Sequence, residues 1–302
     1  MLQPTRRKRP SLFRRFARPG RDGPAALLFL APSLVGLALF YLIPFVGGIY
    51  FSVMDSPVDG TFVGADNYVE VWNSESFRKA AVNTLSFAGI GVPLLLVVSL
   101  SVAVLLNRPL PLRRWFRTAS VLPLVVPVAS VVLFWQVLFD TYGWLNSLLV
   151  AAGRAPVHWM ESDQARGVII LMYVWKNAGY NIVLLLTGLQ TIPRDYYETA
   201  SIDGAGKLRQ FFGITLRYLI PTLFFVTVMS VVGSFKVFRE TYLMSGEYPH
   251  DSIYMLQHYM NNMFLSLDYQ KLTSAAYIMA VGIIALVVVL FQADRRFRHA
   301  IE

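Results

Sequence analysis

Few residues in this chain have types and spacings that could carry out catalysis. Its four histidines, His158, His250, His258 and His299, are scattered, and none has the i, i+4 partner that would put two imidazoles on one helix face for a metal. No Gly-x-Ser-x-Gly turn presents a nucleophilic serine. Cysteine is absent, which excludes disulfides, zinc–thiolate sites and thiol catalysis and leaves the redox compartment open. The run Gly204-Ala205-Gly206-Lys207 invites a phosphate-loop reading. That loop requires a glycine where Ser201 stands and a serine or threonine where Leu208 stands, so the run is not one. No catalytic or metal-binding residue is assigned, and the chain is not expected to bind nucleotide.

The polar chemistry that remains is suited to recognition. It concentrates between Asp195 and Pro221, DYYETASIDGAGKLRQFFGITLRYLIP. The stretch begins polar and charged and turns apolar at Leu208, Phe211 and Phe212, spaced i, i+3, i+4. That pattern predicts a short helix, a turn at Gly204 and Gly206, and a second, amphipathic helix. Connections without a task are short and plain, so this hinge is expected to receive a partner.

These groups must be held by the elements around them. Of 302 residues, 55% are hydrophobic and 15% charged, against about 25% charged in soluble domains. The composition is that of an integral membrane protein. A helix crossing the hydrocarbon layer needs about 20 apolar residues, and six segments qualify: 25–51, 81–106, 116–139, 168–189, 216–235 and 272–291. Pro44, Pro93, Pro123, Pro127 and Pro221 fall within or near them, as membrane helices tolerate. The first segment is too long for a signal-peptide core and has no cleavage motif, so it reads as a retained span. The prediction is an all-α membrane protein. It has a basic tail at 1–24, a six-span domain at 25–292 and a short tail at 293–302, with the hinge at 194–217.

Charge sets the orientation. Basic residues cluster in the N-terminal tail (Arg6, Arg7, Lys8, Arg9, Arg14, Arg15, Arg18, Arg21), the 107–117 loop, the hinge and the C-terminus. Acidic residues favour the other side, with Asp55, Asp59, Asp66, Glu70 and Glu75 among them. The asymmetry places both termini and the hinge in the cytoplasm. The net charge of +9 then reads as cytoplasmic marking and contact with anionic lipid rather than nucleic-acid binding, since no aromatic-interleaved basic fold follows. Outer loops of about 25 to 35 residues carry Phe62, Asn67, Tyr68, Trp72, Tyr142, Trp144, Asn146 and Trp159, which suit a headgroup-level belt and helix caps. Few ionisable residues lie within the spans, and Lys176 and Lys236 stand out inside or at their edges. Such lysines are functional or snorkel to an interface. No chain of buried carboxylates suggests proton coupling, and no inverted repeat is evident.

The hinge carries a further pattern. Glu198-Thr199-Ala200, then Gly204, then Ile214 and Leu216 followed by Pro221, resembles the EAA loop of ABC-importer permeases. Asp203-Gly204-Ala205, Gln210 and Phe211 match the longer form of the sugar-type permeases. Thr199 and Arg217 depart from the pattern, Arg217 standing for the usual proline. Elsewhere Ala31-Pro-Ser-Leu-Val-Gly36 with Tyr41-Leu-Ile-Pro44, Phe62-Val-Gly64 with Asn67-Tyr68, Asn83-Thr84, Phe116-Arg117 with Leu122-Pro123 and Pro127, and Gly188-Leu-Gln190-x-Ile-Pro193 are similar to the same family. The likeness is to the carbohydrate-uptake subfamily.

That resemblance implies a type I ABC-importer permease fold in the cytoplasmic membrane. It implies a heterodimer with a second permease subunit, and two cytoplasmic ATP-binding subunits that carry the ATP and Mg, so that this chain binds no cofactor. An extracytoplasmic sugar-binding protein would deliver the cargo. The coupling residues implied are Glu198, Thr199, Ala200, Asp203, Gly204, Ala205, Gln210, Phe211, Ile214 and Leu216. For the sugar path, Tyr180 loosely matches a sugar-contacting tyrosine of the maltose permease. Asn181, Ser230 and Ser234 are the other polar groups near mid-membrane. Ser230 and Ser234 share a helix face, where small residues also serve simple helix packing. Two alternatives stay open: a self-sufficient secondary transporter or channel, and a scaffold whose hinge only docks a partner.

Overall fold

A computed structural model describes residues 23–109 and 111–299. The basic tail therefore lies outside the described residues up to position 22. Regular structure is helical: α1 (Gly23–Leu37), α2 (Ile43–Ser52), α3 (Asp66–Asn73), α4 (Glu75–Leu106), α5 (Arg113–Val125), α6 (Val128–Phe139), α7 (Trp144–Ala151), α8 (Ala165–Gln190), α9 (Arg194–Ile202), α10 (Lys207–Gln210), α11 (Leu216–Ser234), α12 (Phe238–Ser245), α13 (Leu256–Leu265) and α14 (Tyr269–His299). Among the described residues, six helical stretches are long and apolar enough to cross a membrane: Leu28–Ser52, Glu75–Leu106, Val128–Ala151, Ala165–Gln190, Lys207–Ser245 and Tyr269–Arg296. The chain forms two compact units, one ending at Phe51 and one beginning at Ser52.

In the first unit α1 passes into α2 through a π-helical turn at Ala38–Leu42. Pro44, two residues past the turn, has no N–H to give the Phe40 carbonyl, which accounts for the widened turn. None of its described side chains from Ala26 to Phe51 is buried.

The second unit is built around α8, which packs on α4, α5 and α11. Phe87 and Leu95 of α4, Ile169, Met172, Leu185 and Leu186 of α8, and Leu219 of α11 are fully buried. Close packing of this kind, with small residues at crossings, is what holds helices together where lipid is as apolar as leucine. Gly179 marks one crossing. A methyl group on it would sit 1.9 Å from the Ser120 carbonyl oxygen of α5.

Two boundaries differ from expectation. The third segment, expected as one helix over 116–139, is two helices. Val126 and Pro127 are extended between α5 and α6, because proline drives the residue before it out of the helical region and donates no hydrogen bond. The last helix does not stop near 292 but runs to His299.

At the end of the bundle opposite the hinge, side chains tie the connections down. Asn83 donates from Nδ2 to the carbonyls of Asp251 and Tyr254 at 2.6 and 2.9 Å. Arg166 donates to Asn83 Oδ1 and to the Ser252 carbonyl at 2.8 and 3.1 Å. Thr84 Oγ1 accepts the Leu256 N–H at 3.0 Å. Asn67 reaches the carbonyls of Ser52 and Met54. Asn146 bonds the backbone of Thr141 and Val157 and the Trp159 indole. The loop amides therefore serve as backbone staples.

Candidate functional site

The hinge folds as expected, a helix, a turn and a second short helix, and the structure supplies the reason. α9 ends in a Schellman arrangement: Ala205 N–H donates to the Ala200 carbonyl at 2.8 Å and Gly204 N–H to the Ser201 carbonyl at 3.1 Å. Gly204 has φ +77, which glycine adopts without steric cost. Gly206, grouped with it from the sequence, has an ordinary extended conformation at φ −68. α10 starts there, and a π-helical turn, Phe211–Thr215, carries the chain into α11. Arg217 is exposed in the first turn of α11 and does not interrupt it.

Gln210 locks the turn. It is buried, and its Nε2 donates to Ser201 Oγ at 2.8 Å and to the Ala205 carbonyl at 2.9 Å. The Tyr197 hydroxyl bonds Thr215 Oγ1 at 2.9 Å, tying α9 to the foot of α11. Ser201, Tyr197 and Thr215 were not anticipated. Polar residues at separations of 9 and 18 positions give no periodic signal. Ile214 packs against the main core, and Phe211 and Leu216 are half-buried.

Other groups face outward. Glu198, Thr199 and Asp203 are exposed, and Glu198 enters no ion pair among the described residues. Ile202, Leu208 and Phe212 are 86%, 78% and 61% exposed. The hinge is thus a pinned two-helix unit that presents exposed carboxylates, Glu198 among them, and three large apolar side chains.

The second group of expected site residues only partly converges. Tyr180, Asn181 and Ser230 line one cavity of about 310 Å³ with Asn177, Tyr173 and Met229. Asn181 Nδ2 donates to Ser230 Oγ at 3.0 Å, the Tyr173 hydroxyl donates to the Ser230 carbonyl at 2.8 Å, and Asn177 Nδ2 donates to the Tyr173 carbonyl at 2.8 Å. Ser234 does not line this cavity; it is buried and bonds the Val231 carbonyl in its own helix. The wall is largely apolar, with Leu95, Leu124 and Met229, and sets a few amides and hydroxyls beside tyrosine rings, groups that can hydrogen-bond a polyhydroxylated ligand.

Next to Asn177, Lys176 forms an ion pair with Glu240 of α12. The side chains are only 14% and 12% exposed. The carboxylate is packed inside the bundle because α12 folds back onto α6 and brings it beside α8. One neutralised pair is not a proton relay.

Residues 95–301 match the family described as the inner membrane component of binding-protein-dependent transport systems. The chain is a member of this permease family. It is 32% identical to the sulfoquinovosyl glycerol transport system permease protein of Agrobacterium fabrum, over 81% of this permease and 82% of that one. It is 30% identical to the trehalose/maltose transport system permease protein of Thermococcus litoralis, covering 89% and 91% of the two chains. The sn-glycerol-3-phosphate permease protein of Yersinia pestis is 30% identical over 90% and 95%. Among solved structures, a chain of a bacterial ABC transporter that imports alginate superposes with a TM-score of 0.78 at 23% identity, covering 91% of this permease and 96% of that chain. That likeness establishes the shared fold. The hinge and the cavity beside Tyr180 both lie in the matched region.

Proposed function

We propose that this permease is a membrane-spanning subunit of an ATP-driven importer of a sugar or sugar derivative. One observation carries the reading: the hinge is rigid by its own hydrogen bonds, yet turns Glu198, Ile202, Leu208 and Phe212 to solvent. A pinned helix with exposed apolar groups beside a free carboxylate suits a groove on a partner with a matching cation. The basic residues flanking the hinge put it in the cytoplasm with both termini, where the partner is an ATP-binding subunit. The full assembly has a second permease, two ATP-binding subunits carrying ATP and Mg, and an extracytoplasmic sugar-binding protein. The sugar passes the cavity of Tyr180, Asn181 and Ser230. The names of the relatives, which include transporters of disaccharides and of glycosylated or phosphorylated glycerol, support the cargo class.

The test is reconstitution of the assembly with Glu198→Lys or Gly204→Pro. Both variants should insert and fold, and both should lose binding-protein-stimulated ATP hydrolysis and sugar uptake. Normal uptake by either variant overturns the proposal. Uptake by the permease alone, driven by an ion gradient, would establish a secondary transporter instead.

A further inference from the structure

A third feature lies where α11 turns into α12. Lys236 sits in that turn, with its backbone N–H bonded to the Gly233 carbonyl at 3.0 Å, and Arg239 stands in the first turn of α12. Both are exposed, and with Phe238, Gln257, Asn261 and Phe264 they line a cavity of about 580 Å³. Neither enters an ion pair among the described residues. The adjacent carboxylate, Glu240, is held by Lys176.

The charge balance separates this cavity from two others. One is lined by Asp140 and Glu161, and another by Glu70 and Asp268, which both pair with Lys271. Among the described residues, no acidic one lines the Lys236–Arg239 cavity. Two like charges three residues apart repel each other, most strongly where water is partly displaced by protein. The amides add donors: the Nδ2 of half-buried Asn261 has no hydrogen-bond partner among the described residues, and native structures rarely leave such a group unpaired. The Phe238 ring is fixed edge-on to His258 at 4.9 Å, which makes it a firm wall.

We propose that Lys236 and Arg239 form an oxyanion-binding site. It takes the phosphate, sulfonate or carboxylate group of a small ligand. Gln257 and Asn261 bond the neutral oxygens, and Phe238 and Phe264 flank the carbon skeleton. Arginine binds such groups through its planar fork and lysine as a point charge. The volume is that of a small-molecule site. The anionic group is that of a soluble ligand or of a lipid headgroup, and the same two side chains would hold either. The site does not rest on the importer reading.

The experiment uses the full chain in phosphatidylcholine nanodiscs, without partner subunits, so its result is independent of the coupling assay. Inorganic phosphate and glycerol 3-phosphate are titrated calorimetrically, with glycerol as the neutral control. In a second arm, discs doped with phosphatidylglycerol are examined for retained lipid by native mass spectrometry. Saturable binding of the soluble anions assigns the site to a solute; selective retention of phosphatidylglycerol assigns it to lipid. In either case Lys236→Gln/Arg239→Gln weakens binding at least roughly tenfold, Lys236→Arg/Arg239→Lys keeps it, and rising salt weakens it. Binding of neither anion class, or binding unchanged in the glutamine variant, overturns the proposal.

Discussion

Gly204 and Gly206 stand two residues apart, yet only one needs to be glycine. Gly204 holds φ +77 with open space around it, and Gly206 is extended. Gly204→Ala should cost the hinge about 1 kcal/mol through its backbone conformation alone. Gly206→Ala should cost nothing measurable. Hydrogen exchange of the Ala205 amide, which closes the α9 cap, reads the difference directly: roughly fivefold lower protection in the first variant and none in the second. His258 makes a separate prediction. It is fully buried between the rings of Phe238 and Tyr254, and its Nδ1 accepts the Met255 N–H at 3.3 Å. Burial holds its pKa down to about 4, from 6.5. The unfolded chain therefore takes up a proton more readily than the folded one. Stability is complete above about pH 6.5 and is lost as pH falls toward 4, by roughly 3 kcal/mol in all. The unfolding temperature should drop more between pH 7 and pH 4.5 in the parent than in His258→Gln; equal slopes would refute this assignment.

At the scale of elements, most boundaries were legible because apolar runs and prolines are local signals. Five of the six expected segments became single uninterrupted helices or, for the first, two helices joined by a π turn. The break at Val126–Pro127 was not drawn, since proline inside an apolar run signals equally a tolerated kink and a stop. The α5–α8 crossing left no trace in the sequence, because a glycine in a membrane helix does not say what approaches it. Its energetic weight is testable. Gly179→Ala must push Ser120 and Val121 of α5 away, with backbone atoms at 1.9 to 2.9 Å from the added methyl. Overpacking of this kind costs typically 1–3 kcal/mol. A lower unfolding temperature in detergent is expected for Gly179→Ala, whereas Gly89→Ala, with nothing near its Cβ, should match the parent.

For the whole molecule, the Lys176–Glu240 pair joins α8 to α12 across 64 positions of sequence. Removing one partner leaves a charge in a largely buried setting, at a cost of roughly 3–5 kcal/mol, whereas removing both leaves none. Lys176→Met and Glu240→Gln should each destabilise strongly, and the double variant should recover most of the loss. Additive effects in that cycle, followed by thermal unfolding, would show that the pair is not coupled.

The hinge illustrates how far residues alone reach. Glu198, Gly204, Gln210, Ile214 and Leu216 and their spacing were enough to mark it out, because helix periodicity and turn chemistry act over a few positions. The sequence by itself therefore determined the helical class, the hydrophobic segments, the charge asymmetry and the place of the hinge. Only the tertiary structure decided that Gln210 is its lock, that Ser234 stands apart from the cavity of Tyr180 and Asn181, that Glu240 is half-buried and paired with Lys176, and that Lys236 and Arg239 share a cavity without an acid. Each of these depends on which helix faces meet, and that is set by packing between residues far apart in the chain, where composition and spacing carry no signal.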